Sequence, residues 1–288
     1  MKQFFRRDDW PKAARSAATF ALATAVSSSF WIAAQPSMAW ELRACADPAG
    51  MPQTNRESEG YENKIIEILA EDIGAELTYQ WWTLTTTVIP QQLREGNCDI
   101  VIGGPDGGNG VISTIAYYRS PYAFVYRADE DYEIATYDDP ILKDLRLATT
   151  VEGTSSHLAL SRRGLLDHIT TSAQAAGTNS SDRFADLIAS VARGDTDVAV
   201  PWGPVAGYYA AQQDPPLTVV PVPEFDIPFT PMYHSIVIAL RPGDEELRDL
   251  LDDALARRWD DIYAVLEEYN VPTLPLPRPS VSIEEQQP

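Results

Sequence analysis

The chain has 288 residues, 22 of them basic and 42 acidic, for a formal net charge of −20. A hydrophobic fraction of 44% and a charged fraction of 22% are those of a globular protein and exclude a collagen-like, coiled-coil or wholly disordered chain. So acidic a surface repels phosphate, which excludes non-specific nucleic-acid binding. Three histidines and two cysteines are too few for a zinc ribbon, a haem-attachment motif or an iron–sulfur cluster.

The first 39 residues read as an export leader. Lys2, Arg6, Arg7, Lys12 and Arg15 precede an apolar run, and Ser37-Met38-Ala39 is a small-x-small cleavage signal, with the cut expected after Ala39. Ser27-Ser28-Ser29 interrupts the apolar run, which argues against a membrane anchor. Asp8 and Asp9 follow the Arg pair where a twin-arginine signal turns apolar, so the general secretory route is expected. The leader carries five basic and two acidic residues, so its removal takes the net charge from −20 to −23. The mature chain is expected to be soluble in a periplasm, with no stable membrane insertion.

From Leu42 onward strands and helices alternate. Leu42–Ala46 reads as a strand; Tyr61, Ile65, Ile68, Leu69 and Ile73 recur at helical spacing, and Gly74 stops that helix. Leu77–Trp81 is a second strand, Val88–Arg94 a helix ending at Gly96, and Asp99–Ile102 a buried-looking strand. The unit recurs: Phe184, Leu187, Ile188 and Val191 line a helix that ends at Gly194, and Asp197–Val200 is the next strand. Gly96 and Asp99 precede Gly194 and Asp197 by the same interval, which suggests two βα lobes of related topology around parallel sheets. Two joints divide them, acidic Arg127–Asp139 and Pro221–Pro231 with its four prolines. Leu247, Leu250, Leu251, Ala254 and Leu255 then form an amphipathic helix, and a second helix ends before Pro272. The division expected is leader 1–39, first lobe 40–130, second lobe 131–232, a return to the first lobe over 233–274 and a disordered tail 275–288.

The order of short motifs resembles an α/β family, the type II periplasmic solute-binding proteins that include the polar amino-acid receptors. The motifs are Gly60-Tyr61-Glu62, Ser120-Pro121-Tyr122, Glu152-Gly153-Thr154-Ser155 and Arg241 to Leu247. Leu42-Arg43-x-Cys45-Ala46-Asp47-Pro48, Glu62-Asn63-Lys64-Ile65, Trp81-Trp82, Gly96-x-Cys98-Asp99, Tyr117-Tyr118-Arg119-Ser120 and Pro201-Trp202-Gly203-Pro204 are similar to a divergent branch of it. That branch is the binding-protein-like J protein that accompanies periplasmic methanol and other quinoprotein alcohol dehydrogenases. The resemblance implies two lobes joined by two crossover segments. It also implies a non-enzymatic role in maturing or activating a pyrroloquinoline quinone-dependent alcohol dehydrogenase, with that enzyme and its c-type cytochrome as partners and no cofactor of the chain's own. In this fold Cys45 and Cys98 lie on neighbouring strands, so a disulfide is expected.

The chain departs from the transport receptors at the residues that hold an amino acid. Ile112 stands where they carry the arginine for the ligand carboxylate, and Trp202 where they carry the acid for the ammonium. A charged ligand group buried without its counter-charge costs several kcal/mol. The cleft is therefore expected to be lined by Asp47, Trp81, Trp82, Gly104, Tyr118, Thr154, Ser155 and Trp202, with Trp202 central to a partner-binding face. The alternative is an import receptor for a small solute that is not a standard amino acid. Ser155-Ser156-His157 lacks a third catalytic partner, the histidines lack metal-ligand spacing, and the acidic joint does not match an EF-hand. No metal site or catalytic residue is expected.

Overall fold

Two mixed sheets are built on one plan in the computed structural model, which describes residues 40–83, 88–149, 153–172 and 180–280. The expected leader and its cleavage site, Glu152 and the chain beyond 280 lie outside the described residues. In the first sheet Trp40–Ala46 pairs in parallel with Ala75–Trp81 on one side and Ile100–Pro105 on the other. Tyr233–Leu240 joins antiparallel and carries Ile112–Ser113 and Tyr118–Pro121 on its far edge. The second sheet repeats the order: Leu147–Thr149 lies parallel between Ile169–Ser172 and Val198–Val200, Ala123–Arg127 joins antiparallel, and Leu217–Pro221 closes the edge. The fold is α/β of the type II binding-protein kind.

The repeat is visible at single residues. Arg43 places its guanidinium on both carboxylate oxygens of Asp99 and on the Gly96 carbonyl. Arg146 does the same with Asp197 and the Gly194 carbonyl. In each lobe the glycine ends the helix at positive φ, 72° for Gly96 and 75° for Gly194, where a Cβ would be strained. The aspartate then opens the next strand and is held by an arginine from the strand beside it.

Helix α1 (Tyr61–Asp72) buries Tyr61, Ile65, Ile66 and Leu69 against the first sheet. Helices α6 (Glu245–Arg257) and α7 (Trp259–Glu268) add Leu251, Ala254, Leu255, Trp259, Ile262 and Leu266 to the same core. Helix α2 (Val88–Glu95) covers the sheet's other face over Leu93, Val101 and the half-cystines. In the second lobe, helix α3 (Ser155–Arg162) packs on one face, and helices α4 (Ser180–Ala192) and α5 (Gly203–Ala210) on the other.

Two expected boundaries move. Ala123–Arg127, assigned by sequence to a first lobe ending at 130, belongs to the second sheet. Tyr122–Tyr126 is an uninterrupted buried run, and the chain changes lobes at Tyr122, ahead of the acidic stretch. That stretch begins as a surface turn, with Arg127 paired to Asp129, and then buries Ile134 and Tyr137 in the second core. Residues 275–280, assigned to a disordered tail, run along α7: Leu276 packs on the first core and Arg278 pairs with Asp260.

Cys45 and Cys98 are joined as a disulfide across 53 residues of sequence. Closing a loop of this size stabilises a fold by about 2–4 kcal/mol in the chain-entropy picture. Alkylation of native protein should therefore label no thiol, and Cys45→Ser/Cys98→Ser should lose about 2–4 kcal/mol of unfolding free energy in urea.

Candidate functional site

The site in question is the joint between the lobes, and its geometry begins with helix α5. Pro204 at the first turn presets the helix, and its glycines sit four residues apart on one face. A Cβ on Gly207 would stand 1.7 Å from the Asn270 carbonyl oxygen, and one on Gly203 2.4 Å from Ser120 Oγ. Only hydrogen at both positions lets α5 lie flat on the Ser120 and Asn270–Pro272 segments of the first lobe. Ser120 Oγ donates to the Pro272 carbonyl at 2.5 Å, Tyr208 stacks on Tyr269 at 5.8 Å, and the Tyr209 hydroxyl donates to the Met51 carbonyl at 3.2 Å.

Trp202 caps this helix. Its indole N–H donates to the Ser120 carbonyl at 3.0 Å, and its half-buried ring packs against both lobe cores. His234, on the return strand, lies between the rings of Trp202 and Tyr122 at 5.9 and 5.7 Å. The Tyr122 hydroxyl is 3.2 Å from His234 Nε2 and sits beside the Thr154 side chain and the Ser155 backbone N–H at the start of α3. Burial holds His234 below the usual imidazole range and pushes the Tyr122 hydroxyl up to about 12, so both are neutral at pH 7. Thr154 caps α3 by accepting from the His157 backbone N–H.

The sequence-predicted residues are thus only partly assembled. Trp202, Thr154 and Ser155 meet at the joint, through Tyr122 and His234, which sequence reasoning left out. Tyr118 lies in the first-lobe core, fully buried, because the Tyr117-Tyr118 pair turns both rings toward α1. Gly104 is a buried sheet residue paired with Val237. Trp81 stacks on Tyr79 at 4.8 Å beneath Arg56, and Trp82, one step along the strand, is 38% exposed. Asp47 shapes its own turn by accepting from the Ala49 backbone N–H. Ile112 packs on the first core at the sheet edge.

Beside the joint lies a buried carboxyl, Glu62. Its oxygens accept from the Tyr117 hydroxyl at 2.5 Å and the Tyr118 hydroxyl at 3.1 Å, and Tyr118 shares a second hydrogen bond with Tyr61 at 2.8 Å. Gly103 makes room for it, since a Cβ there would stand 2.9 Å from the Glu62 carboxyl carbon. Burial drives Glu62 up to about 7, against the two phenol hydrogen bonds that pull it down. Among the described residues no group of three His, Cys, Asp or Glu side chains is placed to hold a metal ion, and no helix is long and apolar enough to cross a membrane.

Comparison with known proteins defines the class as a periplasmic binding protein. The crystal structure of MxaJ from Methlophaga aminisulfidivorans MPT superposes with a TM-score of 0.73 at 29% identity, covering 81% of this chain and 100% of that one. The periplasmic binding protein XoxJ from Methylobacterium extorquens AM1 superposes with a TM-score of 0.67 at 32% identity, covering 82% and 100%. Protein MoxJ of Methylorubrum extorquens is 29% identical over 256 residues, 85% of each chain. The chain belongs to the MxaJ/XoxJ family. No family model matches it. An ancestral cationic amino-acid binding protein shares the fold, with a TM-score of 0.64 at 22% identity.

The raised pKa of Glu62 has a defined consequence. A folded-state pKa above the unfolded value of 4.5 contributes stability at low pH that is lost as pH rises through about 7. The wild type should therefore lose roughly 2–3 kcal/mol more unfolding free energy between pH 5 and 8 than Glu62→Gln, which cannot ionise. Urea titrations of both proteins across that range check this, and parallel slopes would show that Glu62 is ionised in the fold.

Proposed function

We propose that this chain is an exported accessory protein of a periplasmic alcohol-oxidising system. It binds a pyrroloquinoline quinone-dependent alcohol dehydrogenase and assists its maturation or activation, without catalysis of its own. The cleaved leader delivers it by the secretory route, and a c-type cytochrome that accepts the enzyme's electrons is a second candidate contact.

The observation that carries this reading is the occupied joint. A transport receptor keeps this space for its solute and closes over it by hinge motion. Here the start of α3 faces the Tyr122 hydroxyl, and Trp202 spends its only side-chain donor on the Ser120 carbonyl. Both groups are neutral, and neither supplies the charge that an amino acid's carboxylate or ammonium requires. The likeness to MxaJ and XoxJ over most of the chain supports the same reading.

Two measurements test it. Thermal scans with each standard L-amino acid should show no rise in melting temperature, whereas a ligand at 100 times its Kd would add about 2.7 kcal/mol of stability. A clear rise would return the chain to the import receptors. Cofactor-free alcohol dehydrogenase incubated with pyrroloquinoline quinone and its metal should recover activity severalfold faster with an equimolar amount of the mature chain. Equal recovery with and without it would overturn the proposal.

A further inference from the structure

The second Pro-rich joint folds into a small antiparallel ribbon, Phe225–Asp226 paired with Thr230–Pro231, whose tip is Ile227-Pro228-Phe229. Phe229 is 90% exposed, Ile227 68% and Phe225 53%. These are the three most exposed large apolar side chains among the described residues, and they share one seven-residue element.

The tip is anchored at its base by ion pairs and hydrogen bonds. The Asp226 side chain is only 4% exposed and bonds Arg163 at 2.7 Å and Arg162 at 3.1 Å. Arg162 also donates to the Ile227 carbonyl at 2.8 Å and the Thr230 hydroxyl at 3.1 Å, so it grips the turn from below. Arg163 is fixed in turn by Asp138 and by the Tyr137 ring. Phe229 itself has a φ of 133°, a region that suits glycine and strains any L side chain. A strained phenylalanine that is 90% exposed buries little surface against the described residues. Glycine there would relax the backbone and remove an apolar surface.

We infer that the 225–231 ribbon is a docking element for a partner protein that offers an apolar pocket on a basic surface. Exposed apolar clusters mark interaction sites, and aromatic side chains held in place before binding lose little entropy on contact. Charge selects the occupant. Arg162 and Arg163 are neutralised by Asp226 and Asp138, Glu224 adds negative charge at the base of the ribbon, and the whole chain carries −20. A second copy of the chain or an anionic bilayer would be repelled, while a basic surface would be attracted. This places the contact on the second lobe's outer ribbon and not at Trp202, whose ring and N–H are engaged within the fold. It rests on the reading of the chain as an accessory to a dehydrogenase.

The test uses the mature chain, the purified alcohol dehydrogenase and Phe229→Gly. The variant should melt no lower than the wild type, because glycine accepts the backbone angle, yet bind the dehydrogenase at least tenfold more weakly. Leu250→Ala, on the exposed face of α6, should bind like wild type. Equal affinity of wild type and Phe229→Gly would overturn the ribbon as the docking element and leave the accessory role standing. No binding by the wild type would overturn that role and this inference with it. A wild-type dimer that sediments as a monomer in Phe229→Gly would assign the ribbon to self-association, and wild-type flotation with phosphatidylglycerol vesicles would assign it to a membrane. Either result would overturn the partner named here.

Discussion

The contact on which the rest of the molecule depends is the seating of α5 on the segment that follows α7. Gly203 and Gly207 bring the helix backbone against Ser120, Asn270 and Pro272 with no room for a methyl group. Once α5 lies there, Trp202 at its start must fall between the two cores, and its indole reaches the Ser120 carbonyl. Trp202 and Tyr122 then enclose His234, and Tyr122 fills the space before α3. Ring stacking of Tyr208 on Tyr269 and the bond from Tyr209 to Met51 tie the lobes at further points. A glycine pair in one helix thus lets side chains of both lobes meet at the joint.

Within each lobe, polar groups are used for position. Arg43 with Asp99 and Arg146 with Asp197 register the central strands in the same way, and each arginine also closes the last turn of a helix through a glycine carbonyl. These pairs are half-exposed, so their value lies more in geometry than in energy. Glu62 differs. It is buried among tyrosines, so burial favours its neutral form, and its ionisation makes the first-lobe core less stable as pH rises from about 4.5 through about 7. Its neighbour Gly103 shows that the sheet was shaped around it.

The polar network of the second lobe acts outward. Arg162, Arg163, Asp138 and Asp226 hold an apolar ribbon away from the body of the protein. The two apolar surfaces therefore have opposite fates: the aromatic joint is consumed within the molecule, and the ribbon remains available to a partner.

The sequence by itself determined the local periodicities and their consequences. Helical spacing placed α1, α4 and α6; Gly96, Asp99, Gly194 and Asp197 revealed the repeated lobe; and the motif order pointed to the binding-protein branch. The Cys45–Cys98 bridge was legible once that fold was assumed, because it follows from strand order. Periodicity could not say which aromatics line a cleft, since a tyrosine in a strand reads alike whether it meets solvent or core. Only packing sent Tyr118 inward to Glu62, drew His234 between two rings from distant segments, and moved the lobe crossing to Tyr122. The Pro-rich stretch 221–231 read as a linker because its strand pairs are two residues long. Its anchorage comes from arginines some 60 residues away in sequence, a contact that exists only once the second lobe has folded.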